Sequence, residues 1–238
     1  IGQPVNWYGP GAVYAYSASQ EGWKDPQLLT APDSSRMDDF GRAIALDGNT
    51  MVIGAPRKHD QIGAVYVFDR TGTETPWEIT GTIMPPVSEV PGQMGTAVVL
   101  QGNDLLVGAP STGRTGSVYH YRRSGGAWSL ETTITPEGEV AGFSTALAWN
   151  ADDLLVGAPT ADDGRGRVYA LSLLETGGWG EAGQIELIGT ANNENARAGT
   201  SITLGNDHAL VGAPGTASVA VLRISDGDTW SHTETLDA

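Results

Sequence analysis

The side chains of this 238-residue chain that could do chemistry are few and scattered. The four histidines, His59, His120, His208 and His232, share no metal-ligand spacing such as His-x-x-x-His. His59 stands beside Asp60 in a polar connection, and His120 lies between Tyr119 and Tyr121, where packing is its expected role. The absence of cysteine removes disulfides, thiolate metal sites and cysteine nucleophiles together. No Gly-x-Ser-x-Gly elbow occurs, and Ser144 stands where related segments carry Gly, which points to a structural place. Carboxylates gather at Asp162-Asp163-Gly164-Arg165 and at Asp33 with Asp38-Asp39. A weak Ca2+ site is one reading of such loops, and a solvated turn is the plainer one. Paired carboxylates for glycoside hydrolysis need a spatial separation that chain spacing does not supply. No catalytic residue, cofactor or resident metal is therefore assigned.

Aromatic residues carry the other candidate chemistry, because ring faces flanked by Asp and Asn suit sugar stacking. Five Trp residues recur at 23, 77, 128, 179 and 230, with intervals of 54, 51, 51 and 51. A Trp repeated in every unit also serves packing, and packing is the expected role here. Trp7 and Trp149 break the repeat. Together with Asp162 and Asp163 they are the candidate ligand-binding residues.

The elements that must position these groups are short and repeated. Met51-Val-Ile-Gly-Ala-Pro56 recurs at Leu105–Pro110, Leu154–Pro159 and Ala209–Pro214, and Trp7-Tyr8-Gly9-Pro10 reads as a weaker echo. Gly63-Ala-Val-Tyr-Val-Phe68 has counterparts at Gly11–Tyr16, Gly116–Tyr121, Gly166–Leu171 and, degenerate, Ala217–Leu222. A further segment opens at Phe40-Gly41, Met94-Gly95, Phe143-Ser144 and Ala198-Gly199, always 14 residues before the Gly of Gly-Ala-Pro. Each segment is too short for a stable helix and fits a strand. Tight turns such as Asp47-Gly48-Asn49 and Gln101-Gly102-Asn103 separate the first two strands of a unit, with Asp152 and Asp207 in the matching places. The spacing predicts four-stranded antiparallel meanders at about 1–30 (partial), 31–84, 85–135, 136–188 and 189–238. Stacked radially, they make an all-β propeller of about five blades, four of them complete.

These residues resemble the FG-GAP repeat family, the repeats of the integrin α-chain propeller and its bacterial relatives, over roughly residues 8 to 236. The resemblance implies that Phe-Gly opens the inner strand of each blade with Gly-Ala-Pro near it. Calcium-binding blades of that family carry an Asp-x-Asp-x-Asp-Gly loop between these strands. The three-residue turns here cannot wrap an ion that takes six to eight oxygens, so calcium is not carried over. Integrin-like rings have seven blades, which leaves open a five-bladed ring or part of a larger one. An open inner edge would invite pairing with a second chain, and self-association through the incomplete blade is a further expectation.

Charge narrows the partners. The formal net charge is -15, which repels nucleic acid and anionic membrane surfaces. No apolar run reaches the roughly 20 residues that cross a bilayer. The chain opens Ile1-Gly2-Gln3 without Met, as a processed or excised product would. Repeat type, acidity and sparse chemistry together predict a secreted or cell-surface, non-enzymatic adhesion module that recognises a protein partner. The alternative is a carbohydrate-binding lectin, and a polysaccharide-acting enzyme is the third reading.

Overall fold

Each repeated segment forms a strand, and consecutive strands pair antiparallel into small sheets. The computed structural model describes residues 1–4, 9–86, 91–111, 115–150, 152–175, 178–180, 183–185, 187, 194–225 and 229–237. The first sheet holds β1 (Gly2–Gln3), β2 (Ala12–Ala15) and β5 (Gln27–Leu29), with a side hairpin of β3 (Ala18–Ser19) and β4 (Gly22–Trp23). The second is the meander β6 (Ile44–Asp47), β7 (Thr50–Ala55), β8 (Ala64–Asp69) and β9 (Glu78–Ile83). The third runs through β10 (Ala97–Gln101), β11 (Asp104–Ala109), β12 (Ser117–Ser124) and β13 (Ala127–Ile134). The fourth comprises β14 (Ala146–Trp149), β15 (Asp153–Ala158), β16 (Arg167–Ser172) and β17 (Gly183–Ile185). The fifth comprises β18 (Ser201–Leu204), β19 (His208–Ala213), β20 (Ser218–Ser225) and β21 (Thr229–Asp237). The fold is all-β and of propeller type, with four complete four-stranded sheets and one partial sheet, as the repeats predict.

One assignment is corrected. The place of the Gly-Ala-Pro strand in the first sheet is taken by Gly2–Gln3; of the Trp7–Pro10 echo, Trp7 and Tyr8 lie outside the described residues. Gly2 pairs with Val13 and Gln3 with Ala12. This is the register of Gly54 on Val65 and Ala55 on Ala64 in the second sheet. Ile1-Gly2-Gln3-Pro4 is thus the degenerate copy of Ile53-Gly54-Ala55-Pro56. Its lost Ala hid it from pattern matching.

The chain divides into two compact units, Ile1–Ala109 with His120–Glu131, and Pro110–Tyr119 with Thr132–Ala238. In the first unit Phe40 is fully buried against Tyr66 and Phe68, with ring centroids 5.5 and 6.3 Å away in edge-to-face geometry. Val13, Leu29, Met51, Ile53 and Trp77 complete that core. In the second unit Phe143 meets Tyr169 at 5.4 Å, and Leu155, Val211, Leu222 and Trp230 belong to its buried core.

Glycine fixes how neighbouring sheets of the first unit approach. A Cβ on Gly54 would lie 2.0 Å from the carbonyl oxygen of Gly95, and one on Gly95 would lie 3.0 Å from the Gly54 Cα. Gly95 also has φ of 91°, a conformation that favours residues without Cβ. The Gly of one sheet's Gly-Ala-Pro strand therefore packs directly on the residue after the Phe- or Met-led opening of the next. The constant 14-residue spacing within a sheet comes from the hairpin, closed by backbone bonds such as Gly41 N–H to Gly54 O and Gly95 N–H to Gly108 O, each at 3.0 Å.

A polar clamp joins the second and third sheets. Asp69, at the end of β8, receives Arg123 bidentately at 2.9 and 2.7 Å, Thr80 at 2.6 Å and Thr50 at 2.7 Å. Burial alone would raise the Asp69 pKa. The hydrogen bonds from Arg123, Thr80 and Thr50 and the Arg123 charge outweigh burial and hold it down at about 2. A carboxyl depressed in the folded state stabilises above its unfolded value near 3.9 and loses that stabilisation as pH falls toward 2. Between pH 5 and pH 2 the native protein is expected to lose about 2 kcal/mol more stability than the Asp69→Asn variant. Urea unfolding midpoints measured across that range check it.

Candidate functional site

Two non-repeated constellations stand out, and both lie within the first unit. The first is a buried ion cluster built by Lys58. Its ammonium is 2% exposed by residue, lies 3.2 Å from Asp38 Oδ2 and 3.2 Å from Asp33 Oδ2, and donates to the Asp33 carbonyl. Tyr66 donates its hydroxyl to Asp33 Oδ1 at 2.6 Å, and Arg57 pairs with Asp39 at 3.3 Å. Burial opposes ionisation of Asp33, but the hydrogen bonds from Tyr66 and Lys58 outweigh it and lower its pKa. Asp38 and Asp39 are therefore buried ion-pair members, not the solvated patch that their polarity suggests. The cluster ties the approach to Phe40 onto the turn after β7. In that turn His59, Asp60 and Gln61 all have positive φ, within the short α1 (Lys58–Gln61). The same turn recurs as α2 (Ala161–Gly164), where Ala161 occupies the place of Lys58.

The second is a cleft of about 610 Å3 between the first and second sheets. Tyr14 and Tyr16 from the end of β2, Trp23 from β4, Leu46, Arg70 and Trp77 line it, with Met51 at its floor. Trp23 is 76% exposed. The Trp at the matching repeat place in the second sheet, Trp77, is 8% exposed. The difference arises in the side hairpin, where Ala18 pairs with Trp23 and carries that ring away from β5. The Trp77 backbone is tied to the Gln27 side chain, which donates to its carbonyl at 2.8 Å and accepts from its backbone N–H at 2.8 Å. The Arg70 guanidinium lies 4.4 Å from the Trp77 ring centroid, and Arg70 Nε donates to Asn49 Oδ1 at 3.2 Å. A polar pocket of about 300 Å3 adjoins, sharing Arg70 and lined by Thr71, Thr75, Thr80 and Glu78. The first-sheet wall of the cleft thus offers the Tyr14, Tyr16 and Trp23 side chains, and the second-sheet wall offers the Arg70 guanidinium laid over Trp77. A smaller pocket of about 240 Å3 holds the matching place between the fourth and fifth sheets, with Trp230 where Trp77 stands.

The candidates read from sequence fall elsewhere. Trp149 is half-buried and packs edge-to-face on Trp179 at 5.8 Å, a packing role within the second unit. Asp162 is engaged by Arg167 through two 2.5 Å hydrogen bonds in the left-handed turn, and Asp163 is exposed beside it with φ of 56°. Trp7 lies outside the described residues. Among the described residues no three His, Asp or Glu side chains form a metal-binding group. His120 is buried, with Nε2 2.7 Å from Asp104, and Ser144 is buried at φ of 76°, the left-handed place that Gly holds elsewhere. Trp23, Tyr16 and Arg70 share no sequence pattern that marks them as a group. The only sequence signal for Trp23 was the 54-residue interval before Trp77, which departs from the 51 of the others.

Residues 23–68, from β4 to the end of β8, match the FG-GAP repeat, as the resemblance implies. The class is thus a propeller-type fold carrying an FG-GAP repeat. Among solved structures, the chain is similar to the periplasmic gluconolactonase PpgL of Pseudomonas aeruginosa, with TM-score 0.61 and 11% identity over 95% of this chain and 68% of that one. It is also similar to a proposed 6-phosphogluconolactonase from Bacteroides uniformis, with TM-score 0.67 and 13% identity over 100% and 67%. A third likeness is a variant of the Aleuria aurantia lectin in complex with Fucα1-6GlcNAc, with TM-score 0.58 and 16% identity over 98% and 73%. At these identities the likeness establishes the fold alone. The expectation of a non-enzymatic module recognising a protein partner is corrected by them: the similar folds are enzymes and a sugar-binding lectin. The repeat pattern could not reveal this, because it records how sheets stack and not what their loops bind.

Proposed function

We propose that this chain recognises a carbohydrate in the cleft between its first and second sheets. The observation that carries the reading is the exposed Trp23 ring, which lines one cleft with Tyr16 of the same wall and with Arg70 and Trp77 of the second sheet. The apolar C–H face of a pyranose stacks on such rings, and its hydroxyls take donors and acceptors at the rim. A cleft of about 610 Å3 accommodates a short oligosaccharide. The lectin and the gluconolactonases of similar fold are named for sugar-derived ligands, which agrees with this reading. Recognition is favoured over turnover at this cleft, because no carboxylate or imidazole is among the described residues that line it. Those are the groups that most often serve as general bases at neutral pH. A glycan ligand also suits a secreted or surface-exposed setting.

The test is a glycan array followed by titration of the bound oligosaccharides. Trp23→Ala is expected to weaken binding about 30-fold, a loss of ~2 kcal/mol, as for an aromatic anchor. Because the ring is exposed, its removal is expected to change folding stability by no more than about 0.5 kcal/mol. An array without any bound glycan, or unchanged affinity in Trp23→Ala, would refute the reading.

A further inference from the structure

The repeat makes a comparison possible between two neighbouring inter-sheet spaces of the first unit. Arg70 and Arg123 occupy the same repeat place, seven residues after Gly63 and Gly116. The backbone agrees: the Arg70 N–H donates to Asn49 O at 3.0 Å and the Arg123 N–H to Asn103 O at 2.7 Å. Each guanidinium also lies over the Trp of its own sheet, Arg70 at 4.4 Å from Trp77 and Arg123 at 5.7 Å from Trp128. Their partners across the space differ. Arg123 reaches back to the preceding sheet and takes the Asp69 carboxylate with both terminal nitrogens. The residue of the first sheet at the place of Asp69 is Ser17.

Arg70 consequently has no carboxylate partner among the described residues. Its hydrogen bonds go to neutral acceptors, Asn49 Oδ1 at 3.2 Å and the Thr73 carbonyl at 3.4 Å. The nearest acid in sequence, Asp69, is already occupied by Arg123, Thr50 and Thr80. Nε and one hydrogen of Nη1 are used, which leaves the two Nη2 hydrogens and one on Nη1 for a ligand. That arrangement suits a planar carboxylate, which a guanidinium takes in bidentate fashion.

We propose that Arg70 selects a glycan with a carboxylate on the sugar ring seated in the cleft, that is, a uronic-acid-terminated oligosaccharide. The proposal rests on the carbohydrate reading of the same cleft. The ligand's carboxylate takes the place that Asp69 fills in the neighbouring space, while Trp23 and Tyr16 hold the ring. The net charge of -15 disfavours a long polyanion, so one terminal uronate is the fitting ligand. Beyond about 8 Å that repulsion is screened at physiological salt, whereas the Arg70 contact is not.

The test compares uronate-terminated oligosaccharides with their carboxyl-reduced counterparts, on an array and then by titration. The native chain is expected to bind the acid about tenfold or more tightly than the reduced sugar. In Arg70→Gln that preference disappears, the affinity for the acid falling to that for the reduced sugar. Arg70→Lys, which keeps the charge and loses the fork, retains part of the preference. Equal affinity for acid and reduced sugar in the native chain, with both lost in Trp23→Ala, would overturn the role of Arg70 and leave the carbohydrate reading standing. Failure of both sugar series to bind would overturn both.

Discussion

Replacing Lys58 with Met is expected to lower the free energy of unfolding by about 4 kcal/mol, because it strands a buried carboxylate. Asp38 is 4% exposed and Lys58 2%, so water cannot take over the role of the ammonium. The Asp33 carbonyl loses its donor at the same time. For a chain of this length the thermal midpoint should fall by about 8–16 °C. The same argument predicts recovery: Asp38→Asn in the Lys58→Met background removes the stranded charge and keeps an acceptor for the Ser35 N–H, which Asp38 Oδ2 takes at 2.7 Å. The double variant is expected to be more stable than Lys58→Met alone. Thermal and urea unfolding of the three proteins check the cycle. A Lys58→Met variant as stable as the native chain would show that the cluster is a surface ornament after all.

Gly54→Ala is expected to cost about 3 kcal/mol, near the upper end for a single added methyl group in a packed core. The new Cβ would sit 2.0 Å from the Gly95 carbonyl oxygen, and the obstacle is backbone of the next sheet, which no rotamer change can clear. Relief would require the two sheets to move apart, with loss of contacts along the whole interface. Gly81→Ala is the control, since a Cβ there meets nothing closer than Val67 at 4.0 Å. Its effect should remain within about 0.5 kcal/mol of the native value, or be slightly stabilising, because a strand glycine is replaced without strain. Equal unfolding midpoints for the two variants would mean that glycine contact does not set the spacing of the sheets.

The sheets were legible because strand identity, turn chemistry and inter-sheet glycine all repeat, so each copy corroborates the others. In the second and fourth sheets the Gly of Gly-Ala-Pro has no room for Cβ, which would lie 2.0 Å from the Gly95 carbonyl oxygen at Gly54 and 2.1 Å from the Gly199 carbonyl oxygen at Gly157. The first sheet is less legible because Ile1-Gly2-Gln3-Pro4 keeps the Gly and Pro but not the Ala. The cleft was harder to foresee. What distinguishes Trp23 from Trp77 is a two-residue hairpin pairing that turns one ring outward, and nothing in the type of either residue encodes it. Trp149 breaks the repeat and packs edge-to-face on Trp179, a contact that its place in the chain does not announce. Likewise Asp38 and Asp39 read as loop residues from sequence, whereas Lys58, 20 positions on, pairs with Asp38 and Arg57 pairs with Asp39. Departures from a repeat are informative only when the side chain that answers them is also known. Ser17 in the place of Asp69 is one such departure, and Arg70 is the side chain that answers it.

The most direct test of the carbohydrate reading is to follow the indole N–H signals of 15N-labelled protein by NMR while titrating an oligosaccharide found on the array. The account predicts that the Trp23 and Trp77 signals shift in saturable fashion, whereas those of Trp149 and Trp179 stay in place. Shifts confined to Trp149 and Trp179, or a bound glycan that leaves Trp23 unmoved, would contradict it and place recognition elsewhere on the chain.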